Sequence, residues 1–69
     1  MTAAQRALFG KRIAARREVT GISQRKLAPL LGVCNSYLCH IEAGRRVPSI
    51  GFLYKLAAIL GGHAGGYLP

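Results

Sequence analysis

Ser23-Gln24-Arg25-Lys26-Leu27-Ala28-Pro29-Leu30-Leu31-Gly32-Val33-Cys34-Asn35-Ser36-Tyr37-Leu38-Cys39-His40-Ile41-Glu42-Ala43-Gly44 is the stretch on which the fold turns. Ser23 is an N-cap residue type, whose hydroxyl accepts from a backbone N–H of the first turn, and it sets Gln24 at the first helical position. Leu27, Ala28, Leu30 and Leu31 give this short helix an apolar side. Pro29 lacks an N–H and collides with the carbonyl four residues back, at about 3 kcal/mol inside a helix, so a kink or an early end is expected there. Gly32 supplies the backbone freedom that a tight helix-to-helix turn requires, and Val33 plugs the turn. A second helix starts at Cys34 or Asn35 and reaches Ala43, with Leu38 and Ile41 inward and Gly44 as its C-cap. Its outward face holds Asn35, Ser36, Tyr37, Cys39 and His40, short or planar polar side chains without a Lys or Arg among them.

The flanks extend the helical pattern in both directions. Upstream, Thr2 followed by Gln5 is a capping-box candidate, and Leu8, Phe9, Ile13 and Val19 mark an apolar stripe among Arg6, Lys11, Arg12 and Arg16. Gly21 stops that helix. Downstream, Arg45-Arg46-Val47-Pro48 leads to Ser49, a further N-cap, and to a helix from Ile50 to Leu60 with Leu53, Leu56, Ala57 and Leu60 on one face. Gly61 and Gly62 end it. Strand signals do not recur, so the class is all-α, with one domain over residues 1–61 and a Gly-rich tail over 62–69. The tail lacks helical periodicity and reads as a flexible end, yet Tyr67 and Leu68 are apolar enough to dock.

Size and charge bound what such a domain can do. A chain of 69 residues buries only about 60% of its unfolded surface, which leaves no room for a second domain or a deep catalytic cleft. A hydrophobic fraction of 51% excludes simple disorder, while ten Lys and Arg against two acids give a net charge of +8. That imbalance calls for a polyanionic partner. The richest apolar stretch, Ile50 to Leu60, carries Lys55 in its middle and falls short of the ~20 residues of a membrane span. Arg6, Lys11 and Arg12 break up any signal-peptide core, which points to a cytoplasm.

Cofactor and metal chemistry find little purchase. Cys34 and Cys39 are separated by about 500° around a helix axis, a poor disulfide geometry, and are expected to be reduced. The spacing of Cys34, Cys39, His40 and His63 matches no zinc knuckle. There is no carboxylate pair, Asp is absent, and no Lys-Ser or Lys-Thr follows the glycine cluster. No cofactor, metal, small-molecule substrate or enzymatic activity is expected.

A short helix, a glycine-containing turn and a second helix crossing the first let the second project from the domain. A projecting helix fits the major groove of duplex DNA, about 12 Å wide, whose edges distinguish all four base pairs. Amide, hydroxyl and imidazole groups read those edges, and surrounding cations hold phosphates without reading sequence. Ser23 to Ala28, Leu31-Gly32-Val33, Tyr37 to Gly44 and Pro48-Ser49 resemble the helix-turn-helix of phage Cro and repressor proteins and their XRE-like bacterial relatives. The resemblance continues through Phe9-Gly10-Lys11-Arg12-Ile13 and through Leu53 to Leu60, covering about residues 5 to 61, with the helix-turn-helix at about 23–43.

That resemblance implies a compact λ-repressor-like domain of four to five helices, acting as a Cro-like or repressor-like regulator of phage or mobile-element type. It implies base contacts from Asn35, Ser36 and His40. It implies backbone contacts from Gln24, Arg25, Lys26, Cys34, Tyr37, Arg45 and Arg46, although Cys34 stands where Ser or Thr is usual. Gln24 matches a position that either holds a phosphate or supports a base-reading side chain. Arg6, Lys11, Arg12 and Arg16 set the general field. Arg17 and Glu42 match a largely buried ion pair that fixes the angle between the first and third helices. The implied partner is a double-stranded operator bound by a homodimer, with Phe52, Tyr54, Ile59, Tyr67 and Leu68 as the possible dimer surface; alternatively Tyr67 folds back to cover the place of a fifth helix. Two other classes fit the same helices: a protein-binding module of antitoxin or co-activator type, and a non-specific DNA coat.

Overall fold

The computed structural model describes residues 1–62 and 64–67. They form α1 (Ala3–Thr20), α2 (Gln24–Leu30), α3 (Asn35–Glu42) and α4 (Ile50–Leu60), then a 3-10 turn over Ala64–Tyr67, with no strand among the described residues. Local chemistry sets the helix starts. The Thr2 hydroxyl accepts from the Gln5 N–H at 3.1 Å while the Gln5 side chain accepts from the Thr2 N–H at 2.8 Å, a complete capping box. Ser23 and Ser49 each accept from the backbone N–H three residues on. α2 ends one residue after Pro29, which offers no N–H to the carbonyl one turn back.

The turn between α2 and α3 is closed by the Gly32 N–H donating to the Pro29 carbonyl and the Val33 N–H to the Ala28 carbonyl. This pairing needs the left-handed backbone at Gly32, φ +73°. α3 ends in the same way, with Ala43 as its C-cap and Gly44, one residue beyond the cap, taking φ +79°. α1 and α2 both pack on α3, and the 3-10 turn packs on α4 and α1. Phe9, Ile13, Leu27, Ala28, Leu31, Leu38, Ile41, Leu56 and Leu60 form one continuous core with Phe52, Leu53 and Tyr67.

Several apolar residues lie elsewhere than their periodicity suggests. Leu8 and Val19 are exposed, Val19 at 77%, although both were expected on the buried stripe of α1. At about 100° per residue they fall on a different side of the helix from Phe9 and Ile13, and only the latter side meets α3. Leu30, expected to be buried, is 57% exposed because the core lies on the Ala28 side of α2.

The candidate dimer surface changes as well. Phe52 is only 4% exposed, since the Tyr37 ring meets it edge-on at 5.8 Å and extends the core toward that side of α4. Tyr67 is 6% exposed and its hydroxyl donates to the Gly61 carbonyl at 2.8 Å. It is folded back against α1 and α4 and is unavailable to a partner, as is Phe52. Tyr54 is exposed and Ile59 half-buried; Leu68, like His63, lies outside the described residues. Tyr67→Phe removes the donor and is expected to cost about 1 kcal/mol in urea unfolding, without changing the sedimentation weight.

Candidate nucleic-acid interface

α3 is held from behind. Leu38 and Ile41 are fully buried, and the opposite face leaves Asn35, Ser36, Cys39 and His40 exposed together. These positions are one and four residues apart, so a helix sets them on one side. The N-cap Cys34 makes no side-chain capping bond and is exposed, as is Cys39, and neither forms a disulfide.

The angle of α3 is set by an ion pair with three anchors. Arg17 donates from Nε to Glu42 Oε2 at 2.8 Å and from Nη2 to Glu42 Oε1 at 3.0 Å, while its Nη1 donates to the Ile22 carbonyl at 3.2 Å. One guanidinium thus joins the end of α1, the turn before α2 and the end of α3. The side chains are 17% and 7% exposed, and the two parallel bonds fix orientation as well as distance. Hydrogen bonding to Glu42, helped by its charge, outweighs the cost of burial and raises the Arg17 pKa above its ordinary value.

Gln24 belongs to this network. Its amide Nε2 donates to Glu42 Oε1 at 3.0 Å; the carboxylate only accepts, so the amide orientation follows from the bond. One amide hydrogen and the carbonyl of Gln24 stay available to a ligand. Arg25 and Lys26 are exposed in the first turn of α2, and Arg45 and Arg46 are exposed beyond α3. The Arg46 guanidinium lies over the half-buried Tyr37 ring, 5.5 Å from its centroid, so Tyr37 also carries part of the loop that follows.

Arg16 and Arg6, expected only to set a general field, also hold structural hydrogen bonds. Arg16 Nε donates to the Leu60 carbonyl at 2.9 Å, and Arg6 Nε to the Gly44 carbonyl at 3.2 Å. Each cation sits at or just past a helix C-terminus, where the unpaired carbonyls favour it.

Gly10 was quoted in the sequence motif without a role of its own. A Cβ there would lie 2.7 Å from the Ile41 oxygen and would run into the Glu42 carbonyl oxygen. Its missing side chain lets α1 touch the backbone of α3. No group of three or more metal-ligating side chains exists among the described residues, and no helix among them is long and apolar enough to cross a membrane.

Residues 8–64 match the helix-turn-helix domain family. Over 53 residues the chain is 38% identical to YazB of Bacillus subtilis, an uncharacterised HTH-type transcriptional regulator, covering 77% of each chain. The restriction-modification controller protein C.AhdI from Aeromonas hydrophila superposes with a TM-score of 0.88 at 34% identity, over 94% of this chain and 98% of that one. The N-terminal DNA-binding domain of SinR from Bacillus subtilis superposes with a TM-score of 0.82 at 37% identity, over 88% and 90% of the two chains. With its helix-turn-helix anchored by Arg17 and Glu42, the chain belongs to the XRE-like helix-turn-helix family of DNA-binding transcriptional regulators.

Proposed function

We propose that the protein binds a specific double-stranded operator by inserting α3 into the major groove, and regulates transcription from it as a repressor. The observation that carries this reading is the division of labour on one surface. A face of Asn35, Ser36 and His40, without Lys or Arg, projects from a helix locked at its far side, and Arg25, Lys26, Arg45 and Arg46 are exposed on the adjoining elements. Asn35 suits adenine through a bidentate N6/N7 pair, and the cations hold phosphates. The Cro-like, phage-type version of this role rests on the sequence resemblance alone.

A single domain of this size touches few bases, so a two-fold dimer on half-sites about 34 Å apart supplies the remaining affinity. Tyr54 and Ile50, exposed one turn apart on α4, offer apolar surface for such pairing. The cell compartment that fits this role is the cytoplasm.

Selection of bound sites from random duplex DNA tests the reading directly. A conserved half-site recovered in two-fold arrangement is the expected result, and Asn35→Ala then costs about 1–3 kcal/mol on that site and little on unrelated DNA. Equal weakening on all duplexes points to a non-specific coat. Affinity for duplex that does not fall with salt points to a protein-binding module.

A further inference from the structure

A groove lies where α4 approaches the turn before α3. It has a volume of about 420 Å³, and its lining includes Gly32, Cys34, Tyr37, Ser49 and Lys55. Lys55 reaches across from α4, its Nζ lying 3.4 Å from the point that a Cβ on Gly32 would occupy. The chain has only two carboxylate side chains, Glu18 and Glu42. Glu42 is engaged by Arg17 and Gln24, and no ion pair to Lys55 exists among the described residues. Tyr37, at the edge of the groove, carries the Arg46 guanidinium on its ring.

We propose that this groove seats one backbone phosphodiester of the duplex, with Lys55 as its cation. The proposal rests on the reading of α3 as the groove-inserting helix, and adds a contact from α4 that neither the sequence motif nor the family comparison assigns. Two features favour this occupant over bulk water. Lys55 and Arg46 set positive charge near Tyr37, which shares the first turn of α3 with Asn35 and Ser36, so a strand passing the start of α3 runs by both cations. An ammonium is a compact point charge on a flexible stem, suited to a phosphate oxygen whose position shifts with local duplex shape.

Lys55 is exposed, so substitution leaves the core intact. The test is duplex affinity over a salt series for the wild type, Lys55→Met, Lys55→Arg and Lys11→Met, on the selected site and on an unrelated duplex. One phosphate contact contributes about 0.9 to the slope of log K against log[salt]. Lys55→Met is expected to make the slope shallower by about that amount and to weaken both duplexes by the same factor, while Lys55→Arg and Lys11→Met keep the wild-type slope. A steep wild-type slope that Lys55→Met leaves unchanged overturns this contact while the α3 reading stands. A loss confined to the selected duplex also overturns it, because a phosphate contact is blind to sequence. A wild type without salt-dependent DNA binding overturns the α3 reading and this contact together.

Discussion

Gly10→Ala is expected to lower the melting temperature by about 10–20 °C, the equivalent of roughly 2–3 kcal/mol in a domain of this size. Alanine in a helix interior ordinarily gains about 0.5–1 kcal/mol over glycine, so the direction is opposite to what propensity gives. The reason is what faces the new methyl group. It meets the carbonyls of Ile41 and Glu42, backbone atoms of α3 that have no rotamer to change. Either α1 and α3 separate, which loosens Phe9 and Ile13 against Leu38 and Ile41, or the clash remains. Gly51→Ala is the matched comparison. Gly51 lies inside α4 with nothing within 4 Å of its would-be Cβ, so alanine there is expected to stabilise by about 0.5–1 kcal/mol. Thermal melts followed by circular dichroism read both. Equal melting temperatures for Gly10→Ala and wild type would falsify the close approach of α1 to α3.

Arg17→Ala is expected to cost about 3–5 kcal/mol in urea unfolding, because it strands the Glu42 carboxylate, only 7% exposed, away from its counter-charge. A domain of this length holds roughly 3–10 kcal/mol in total, so this one change brings it to the edge of unfolding. Glu18→Ala is the comparison that isolates burial. It alters a carboxylate on an exposed residue and is expected to stay within about 0.5 kcal/mol of wild type. Replacing both partners, Arg17→Met with Glu42→Leu, is expected to recover most of the loss, since no buried charge is then left unpaired. Similar midpoints for Arg17→Ala and Glu18→Ala would show that the pair does not fix α3.

The sign of the arginine's pKa shift also predicts a pH response. A pKa raised on folding contributes stability that is fully present below the unfolded value and is lost as pH rises through the folded value. For Arg17 that window lies in strong alkali, so titration of this arginine removes no stability between neutral and mildly alkaline pH. A loss in that interval has another source.

Legibility in the sequence followed the range of the interaction involved. The α4 start at Ile50 and the α2 start at Gln24 were readable because Ser49 and Ser23 cap backbone groups three residues away, and the α4 end at Leu60 because Gly61 and Gly62 follow it. The outward polar face of α3 was readable because Leu38 and Ile41 leave only one side for solvent. The pairing of Arg17 with Glu42 came from family resemblance, since nothing in the spacing of 25 residues brings the two together. The bond from Gln24 to the same carboxylate went unread, although an amide at the first position of α2 and a lone carboxylate late in α3 were both visible. Lys55 was read only as an interruption of the apolar run of α4, because that helix announces itself through its apolar face.

By itself, then, the sequence determined where the helices begin and stop, and that one of them presents an outward polar face without Lys or Arg within a basic chain. Those outcomes depend on caps, turns and side-chain chemistry within about four residues. Only the tertiary structure decided which apolar stripe of α1 is covered, that Phe52 and Tyr67 belong to the core, and that Gly10 must lack a side chain. Each of these turns on what lies opposite a helix face. For Gly10 that is the backbone of Ile41 and Glu42, more than 30 positions along the chain, beyond the reach of any local pattern.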